Sequence, residues 1–270
     1  MKTIFHSENI EFFGVLPFSA CKCRRPDMIE RRGVGPREIK SVIMFLVPYY
    51  VRDGEGNISL YARSGDYHFY CEELFARILP LLEEKYGGRF LGFADKSPIE
   101  ENIAASMAGL GKIGDNYMLI NEKYGSFVFL AEILSTAEPE ALGFSGAAME
   151  PSYCMHCGAC QKACPMQREG MECLSAVTQK KGALTKEEQA YIRKYGSAWG
   201  CDLCQLACPL TQASLASETP IDFFRKERIS TLTVEKLASM TDEAFHRRSF
   251  SWRGKAPLIR NLEILSKNKE

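Results

Sequence analysis

The chain has 270 residues and no formal net charge, because 34 lysine and arginine residues balance 34 aspartate and glutamate residues. This balance excludes a uniformly basic nucleic-acid-binding protein, and a content of 46% hydrophobic residues excludes a disordered chain. The longest apolar run, residues 42–51, is shorter than the roughly 20 residues of a membrane-spanning helix. Because the N-terminal residues also contain no secretory or twin-arginine leader, we expect a cytoplasmic protein without a membrane span.

The first half of the chain predicts strands that alternate with helices. Residues 41–47 form a continuous apolar run before Pro48, which is typical of a strand buried on both faces. Residues 68–86 have helical spacing and are followed by two glycines, and residues 89–94 predict a second strand. Residues 127–134 predict a further strand. This order indicates an α/β or α+β domain.

A helix start is predicted after the second strand, with Ser97 as N-cap and Glu100 completing a capping box, and this helix is expected to run to Gly109. Residues 109–114 spell G-x-G-x-x-G, but they follow a helix rather than a strand, which argues against a dinucleotide site. Asp95 lies between the strand and the helix. It is either a turn residue or a carboxyl group that faces a ligand crevice.

Cysteine is the most informative residue, because eight of the eleven cysteines lie between residues 154 and 208. A chain without an export signal is expected to use such cysteines for metal or redox chemistry rather than for disulfides. Residues 154–165 read C-x2-C-x2-C-x3-C-P, the pattern of two-cluster ferredoxins. Residues 201–209 repeat its C-x2-C-x3-C-P ending, but Ala198 occupies the position of the first cysteine.

In this pattern the fourth cysteine of each run binds the other cluster. The first 4Fe-4S cluster is then predicted to be bound by Cys154, Cys157, Cys160 and Cys208. The second receives Cys164, Cys201 and Cys204, and Cys173 is the cysteine of this segment left to complete it. Two structural zinc sites are the alternative. His156 is interpreted as a loop residue, and Cys21, Cys23 and Cys71 as ordinary thiols.

Two segments are locally basic despite the neutral total. Residues 21–40 carry seven cationic against three acidic side chains, and residues 244–270 carry seven against two. Either segment is a solvated face or a contact for phosphate. Helices are also predicted from a capping box at Thr185 to Tyr195, over residues 233–240 and over residues 257–266.

Taken in order, several segments resemble the epoxyqueuosine reductase family, a family of cobalamin and double-cluster enzymes. The resemblance covers about residues 34–265. It is carried by Tyr61-Ala-Arg-Ser-Gly-Asp-Tyr-His68, Asp95-Lys-Ser-Pro98, Ala108-Gly-Leu-Gly-Lys-Ile-Gly-Asp-Asn116, Gly125-Ser-Phe-Val-Phe-Leu-Ala-Glu132, the eight clustered cysteines and Leu258-Ile-Arg-Asn261. The family's typical Gly-Lys-Asn is Gly114-Asp115-Asn116 in this chain, which places an anion near the expected cofactor.

The resemblance implies an α+β fold with three parts. These are a nitroreductase-like cobalamin-binding domain (1–148), a ferredoxin-like module with two 4Fe-4S clusters (149–220) and a C-terminal helical segment (221–270). The chain would be a short form without the C-terminal helical repeats of longer members. Asp95 would be the proton donor, with a pKa raised by burial against the corrin. Tyr67 and Asn116 are the candidates for cobalamin contact.

The implied reaction converts epoxyqueuosine in tRNA to queuosine, with electrons from an external donor such as flavodoxin or ferredoxin. Two other functions remain open. One is the reduction of a small epoxide or organohalide with the same cofactors. The other is electron transfer by a double-cluster protein that has no catalysis of its own.

Overall fold

The computed structural model describes residues 1–168, 173–215 and 217–267. The strands are β1 (Phe13–Pro17), β2 (Ser41–Pro48), β3 (Phe90–Ala94), β4 (Lys112–Ile113), β5 (Leu119–Ile120) and β6 (Val128–Ser135). Four of them form an antiparallel sheet in the order β1-β2-β6-β3, and β4 pairs with β5 in a separate hairpin. The three strands that the sequence predicted are therefore present, and β1 adds an edge.

The helices of the first half are α1 (Lys2–Ser7), α2 (Pro26–Glu30), α3 (Tyr67–Tyr86) and α4 (Glu101–Met107). Those of the cysteine-rich segment are α5 (Ala159–Ala163), α6 (Pro165–Arg168), α7 (Leu174–Gln179), α8 (Lys186–Tyr195), α9 (Leu203–Leu206) and α10 (Pro209–Ser214). The last are α11 (Asp222–Arg225), α12 (Val234–Ala238), α13 (Asp242–His246) and α14 (Lys255–Ser266). Short 3-10 helices occupy Phe18–Ala20, Pro36–Glu38 and Leu60–Ala62. The predicted α+β fold class is confirmed.

Strand β2 is buried along its whole length because helices cover both faces of the sheet. Ile43 and Phe45 point into a core shared with α3, whereas Val42 and Met44 point into a core shared with α4. Side chains alternate between the two faces of a strand, so a strand between two helical layers must be apolar at every position. This explains the unbroken apolar run of β2.

Local signals place α3 and α8 as predicted. The Asp66 side chain caps α3 by accepting a hydrogen bond from the backbone N–H of His68, and α3 ends at Gly87, whose φ is 70°. Thr185 and Glu188 form the predicted capping box of α8. Caps of this kind satisfy backbone groups that lack a partner at helix ends.

The predicted capping box at Ser97 is wrong, because α4 begins at Glu101. The Ser97 hydroxyl instead bonds to the backbone of Ile99, two residues further on. Ile99 pairs with Cys23 in an isolated bridge, and the backbone N–H of Arg24 donates to the carbonyl of Pro98 at 2.7 Å. This contact with a distant segment holds the chain extended and delays the start of the helix.

The C-terminal helices pack against earlier parts of the chain. Trp199, Ile58 and Leu258 share one buried cluster. Asn261 on α14 is fully buried, and its side-chain amide donates to the carbonyls of Thr178 and Ala198. The three-part division at residues 148 and 220 stays a prediction. Within the described ranges, no helix is both long enough and apolar enough to cross a membrane.

Candidate functional site

Four thiols surround one small cavity in the cysteine-rich segment. They are Cys154, Cys157, Cys160 and Cys208. The first three come from the loop before α5 and from α5 itself, and the fourth caps α10. The loop turns back on itself at His156 and Gly158, which have left-handed backbones with φ of 53° and 71°. The thiols predicted to bind the first cluster are thus brought together.

The other four clustered thiols form a second group. They are Cys164, Cys173, Cys201 and Cys204. Burial raises the pKa of Cys201 to about 12, and the nearby charges of Cys173 and Cys204 contribute to this rise. Burial also raises the pKa of Cys204, which receives a hydrogen bond from Asn116 and lies near Cys173, Cys164 and, from the first group, Cys160. Cys173 is thus brought close to Cys201 and Cys204, and the division of the thiols between two clusters stays a prediction.

Asp115 and His156 form a pair beside the first group of thiols. Asp115 Oδ1 lies 2.6 Å from His156 Nδ1, and ligand atoms of both residues lie within 4.8 Å of the Cys154 thiol. The carboxylate that replaces the family's lysine therefore faces an imidazole ring. His156 is a loop residue, as predicted, but its interaction with Asp115 was not foreseen.

The loop at residues 115–118 separates this cavity from a second one. Asn116 is on the cysteine side, where it hydrogen bonds to Cys204. Tyr117 and Met118, the next two residues, line the second cavity. Asn116 is thus not brought together with Tyr67 and Asp95, the other two predicted site residues.

The second cavity, of about 170 Å³, lies where β3 ends and β6 begins. Its floor is the half-buried segment 128–130 of β6, in contrast to the fully buried residues 131–135. Tyr117 is 79% exposed at the rim, and Met118 is 41% exposed. The cavity therefore presents an apolar floor and rim that the described residues leave open to solvent.

Polar groups line one side of this cavity. Asp95 follows β3 with a left-handed backbone (φ 63°), and its Oδ2 atom lies 3.6 Å from Nε2 of His68. The other ring nitrogen of His68, Nδ1, lies 2.8 Å from Oδ1 of Asp66. The Tyr67 ring stacks on Phe129 at 4.0 Å, and its hydroxyl hydrogen bonds to Asp95. One imidazole ring is thus held between two carboxylates.

These contacts set the protonation of the two central groups. The hydrogen bond to Asp66 and the ion pair with Asp95 raise the pKa of His68 to about 9, so the ring is cationic at neutral pH. The same imidazole lowers the pKa of Asp95, against the opposing effect of burial. Among the protein's own groups the neighbouring imidazole outweighs burial, and a rise caused by burial against a corrin stays a prediction.

Two further carboxyl groups, those of Glu101 and Glu132, lie near Asp95 on the side of the core. Burial raises the pKa of Glu101 to about 7. Burial and the charge of Glu101 raise the pKa of Glu132 well above its usual range. Neither residue was predicted to belong to the site. The sequence does hold a signal for Glu132, because a carboxyl group within the otherwise apolar run of β6 indicates a functional position.

Asp66 and His68 were not predicted as site residues either. Their D-x-H spacing at a helix start is a usable signal, because an N-cap aspartate reaches the backbone of the residue two positions later. In this structure the Asp66 carboxylate reaches both the backbone and the ring of His68.

Part of the basic C-terminal segment lines a third cavity, of about 770 Å³. Arg247 and Arg248 lie there with Lys226, beside Phe69 on the first turn of α3. Arg260 instead donates to the backbone carbonyls of Lys180 and Gly182, and Lys269 lies outside the described residues. In the N-terminal basic segment several cations form ion pairs on the surface, for example Arg25 with Asp27. The basic residues therefore have different roles.

Comparison with known proteins agrees with this geometry. A family model described as a 4Fe-4S binding domain matches residues 151–167 and 195–216. Epoxyqueuosine reductase of Gloeobacter violaceus is 32% identical over 228 residues, which are 78% of this chain and 70% of the relative. Epoxyqueuosine reductase of Cellulophaga algicola is 31% identical over 247 residues, 84% of this chain and 78% of the relative.

Solved structures share the fold at lower identity. Epoxyqueuosine reductase from Streptococcus thermophilus superimposes with a TM-score of 0.78 at 23% identity, covering 99% of this chain and 80% of that chain. An epoxyqueuosine reductase solved with an epoxyqueuosine-modified tRNA-Tyr stem loop gives a TM-score of 0.71 at 23% identity, covering 98% and 80%. The 4Fe-4S binding segment after the antiparallel sheet domain, together with relatives that are reductases, places the chain among the iron–sulfur oxidoreductases. The chain belongs to the epoxyqueuosine reductase family.

The environment of His68 leads to a first prediction. Asp66→Asn is expected to lower the pKa of His68 from about 9 towards 6.5, because it removes the strongest interaction with the cationic ring. Ring chemical shifts followed by NMR over a pH series measure this. A folded-state pKa above 6.5 means that the charged ring stabilises the fold below that pH, and that this contribution is lost as the pH rises through about 9.

Asp242→Asn is the control, because Asp242 is an exposed residue whose ion pair is with Lys255. An unchanged His68 titration in Asp66→Asn would contradict the assigned role of Asp66.

Proposed function

We propose that this chain reduces epoxyqueuosine in tRNA to queuosine, with two 4Fe-4S clusters and a cobalamin as cofactors. The observation that carries the proposal is the contact of the cationic His68 with Asp95, whose side chain lines a cavity one short loop away from the clustered thiols. Loss of the epoxide oxygen as water consumes two electrons and two protons. A site for this reaction therefore needs a source of electrons beside a source of protons.

The donor sets fit two clusters. The first would be bound by Cys154, Cys157, Cys160 and Cys208, and the second by Cys164, Cys173, Cys201 and Cys204. Each group offers four thiols, as a 4Fe-4S cluster requires. Asn116 connects the two groups of thiols, since it lines the cavity of the first group and hydrogen bonds to Cys204 of the second group.

The second cavity fits one face of a corrin ring. Its floor at residues 128–130 is apolar and half-exposed, and Tyr117 and Met118 extend it at the rim. Tyr67 lines this cavity and would contact the corrin, whereas Asn116 would act from the side of the clusters. When bound, cobalamin would supply a low-potential cobalt centre for bond formation with the substrate.

The protein's own residues would supply protons. His68 carries a proton at neutral pH, and its Nε2 atom is directed at Oδ2 of Asp95. Asp95 would accept this proton and pass it to the leaving oxygen of the epoxide. Asp66 keeps the ring oriented from the opposite side and favours its charged form. Asp95 is therefore the proposed catalytic acid, and Asp66 is a positioning residue.

The third cavity is suited to the tRNA backbone. Three cations, Lys226, Arg247 and Arg248, line it with two acids, Glu227 and Glu243, and an excess of cationic side chains favours binding of phosphate. Phe69 connects it to the site, because it follows His68 directly on α3. An activity on tRNA would place the protein in the cytoplasm. Electrons would come from an external donor such as flavodoxin or ferredoxin. Cys157 and Cys173 are exposed, so each cluster would have one side that such a donor can approach.

Iron analysis tests the clusters. Protein purified without oxygen is expected to contain about eight irons per chain, the sum of two four-iron clusters. Cys173→Ser is expected to keep about four, because only the second group loses a thiol. Cys23→Ser, outside both groups, is the control and should keep the full content. Zinc in place of iron, or a full iron content in Cys173→Ser, would count against this ligand assignment.

Cobalamin binding is tested by titration. Added cobalamin is expected to change its visible spectrum on binding, and Leu130→Glu should abolish the change because it places a charge on the apolar floor. Leu81→Glu, on an exposed part of α3, should leave binding intact. An unchanged spectrum with the unaltered protein would favour an electron carrier without its own catalysis.

Turnover of tRNA that carries epoxyqueuosine, with a strong chemical reductant, tests the substrate. Asp95→Asn is expected to lower the rate by about 10²-fold or more, as is common for loss of a general acid. Asp27→Asn is the matched control, because Asp27 lies on the surface in an ion pair with Arg25. A full rate in Asp95→Asn would remove Asp95 from the mechanism, and turnover of small epoxides or organohalides alone would change the substrate class.

A further inference from the structure

Two carboxyl groups behind Asp95 have no role in the reaction proposed above. Glu132 lies in the middle of β6 and is fully buried, and Glu101 is the first residue of α4. The cross-strand neighbours of Glu132 are Met44 on β2 and Phe93 on β3, both apolar and buried. An ionisable side chain at this position is therefore surrounded by core residues.

The carboxyl oxygens of this pair are poorly supplied with donors. Both oxygens of Glu132 and Oε1 of Glu101 are buried and have no partner of normal hydrogen-bond geometry among the described residues. The Ser97 hydroxyl is close enough to Glu132 to lower its pKa, but this hydroxyl also donates to the backbone carbonyl of Ile99, and burial outweighs its effect. An ionised carboxylate in this state is costly, because it has lost water without gaining a full set of donors. Two adjacent carboxyl groups remove much of this cost when they share one proton, since the acid then donates to the carboxylate.

The surroundings of the pair are acidic. Several other titratable groups are close enough to Glu101 or Glu132 for a charge interaction. They are Asp95 after β3, Tyr67 and Cys71 on α3, and Cys21 after the first 3-10 helix. Within the described residues, no lysine, arginine or histidine is close enough to either carboxyl group to shift its pKa. A doubly ionised pair would therefore have no counter-ion.

Glu101 connects the pair to the site. Its side chain lines the same cavity as Asp95. The backbone N–H of Asp95 is directed at the Glu101 carboxyl group, and the charge of Asp95 acts on it. Glu132 lies on the inner side, in contact with Glu101. The order from the core to the cavity is Glu132, Glu101 and Asp95.

We propose that Glu101 and Glu132 hold one proton between them and form a proton reservoir that refills Asp95 during turnover. This rests on the proposed function, because that reaction consumes two protons and His68 holds one. In the refilling step the Glu101 acid loses its proton and the Asp95 carboxylate gains it. No electron moves, and solvent protons restore the pair afterwards. Both glutamates act through Asp95 and are positioning residues.

Infrared spectroscopy of the intact protein without substrate tests the shared proton. We expect the C=O stretch of a protonated carboxylic acid to persist at neutral pH, to shift in D2O and to be absent from Glu132→Gln. Glu101→Gln is the second variant, since Glu101 lies at the cavity wall, where a substitution disturbs the core less. Glu100→Gln is the matched control, because Glu100 is ion-paired with Arg24 on the surface.

The coupling to Asp95 has its own readout. Asp95→Asn removes a negative charge beside Glu101, so the carboxylic acid band should disappear at a lower pH than in the unaltered protein. If the band disappears at the same pH in Asp95→Asn as in the unaltered protein, the connection between the pair and Asp95 is overturned. Absence of the band from the unaltered protein would overturn the shared proton.

Single-turnover rates over a pH series test the reservoir. Glu132→Gln is expected to react about tenfold more slowly at neutral pH, with an altered pH profile and unchanged tRNA binding. An unchanged rate and profile in both glutamine variants would overturn the reservoir. If the unaltered protein shows the band and its dependence on Asp95 but converts no epoxyqueuosine, then the proposed function fails while the shared proton stands.

Discussion

The register of β3 on β6 is the constraint on which the site depends. Phe93 pairs with Glu132, and Ala94 pairs with Ala131, so Asp95 emerges beside Leu130 at the edge of the cavity. A slip of one residue would exchange the two faces of the strand and move Glu132 into the core on the α3 side. The apolar packing on both faces of the sheet fixes this register and therefore also orients Asp95 and Glu132.

Electrostatics at this edge is dominated by acids around the His68 ring, and Lys96 adds a weaker positive charge beside Asp95. Asp66 and Asp95 bracket His68, while Glu101 and Glu132 lie further inside. Because His68 is ion-paired with Asp95, it holds a proton at neutral pH and leaves Asp95 ionised at rest. The deeper glutamates lack such a partner, and burial drives them towards the neutral form instead. One imidazole thus divides the acids into an ionised outer set and a proton-holding inner set.

Prediction from the sequence succeeded where a local pattern has one structural solution. The apolar run of β2, the capping box at Thr185 and the glycine after α3 each act within a few residues, and each prediction is confirmed. The capping box at Ser97 was wrong because a backbone contact with residues 23–24, far away in sequence, holds Pro98 and Ile99 extended. His68, Glu101 and Glu132 were missed as site residues, since their partners are side chains that only the fold brings close.

By itself, the sequence determined the class of chemistry. The spacing of its cysteines specifies iron–sulfur binding, because short loops allow few ways to present three thiols to one cluster. Only the tertiary structure decided which groups surround Asp95 and in which direction its pKa moves. Charge interactions and burial depend on distances across β3, β6, α3 and α4, and those distances have no counterpart in the order of residues along the chain.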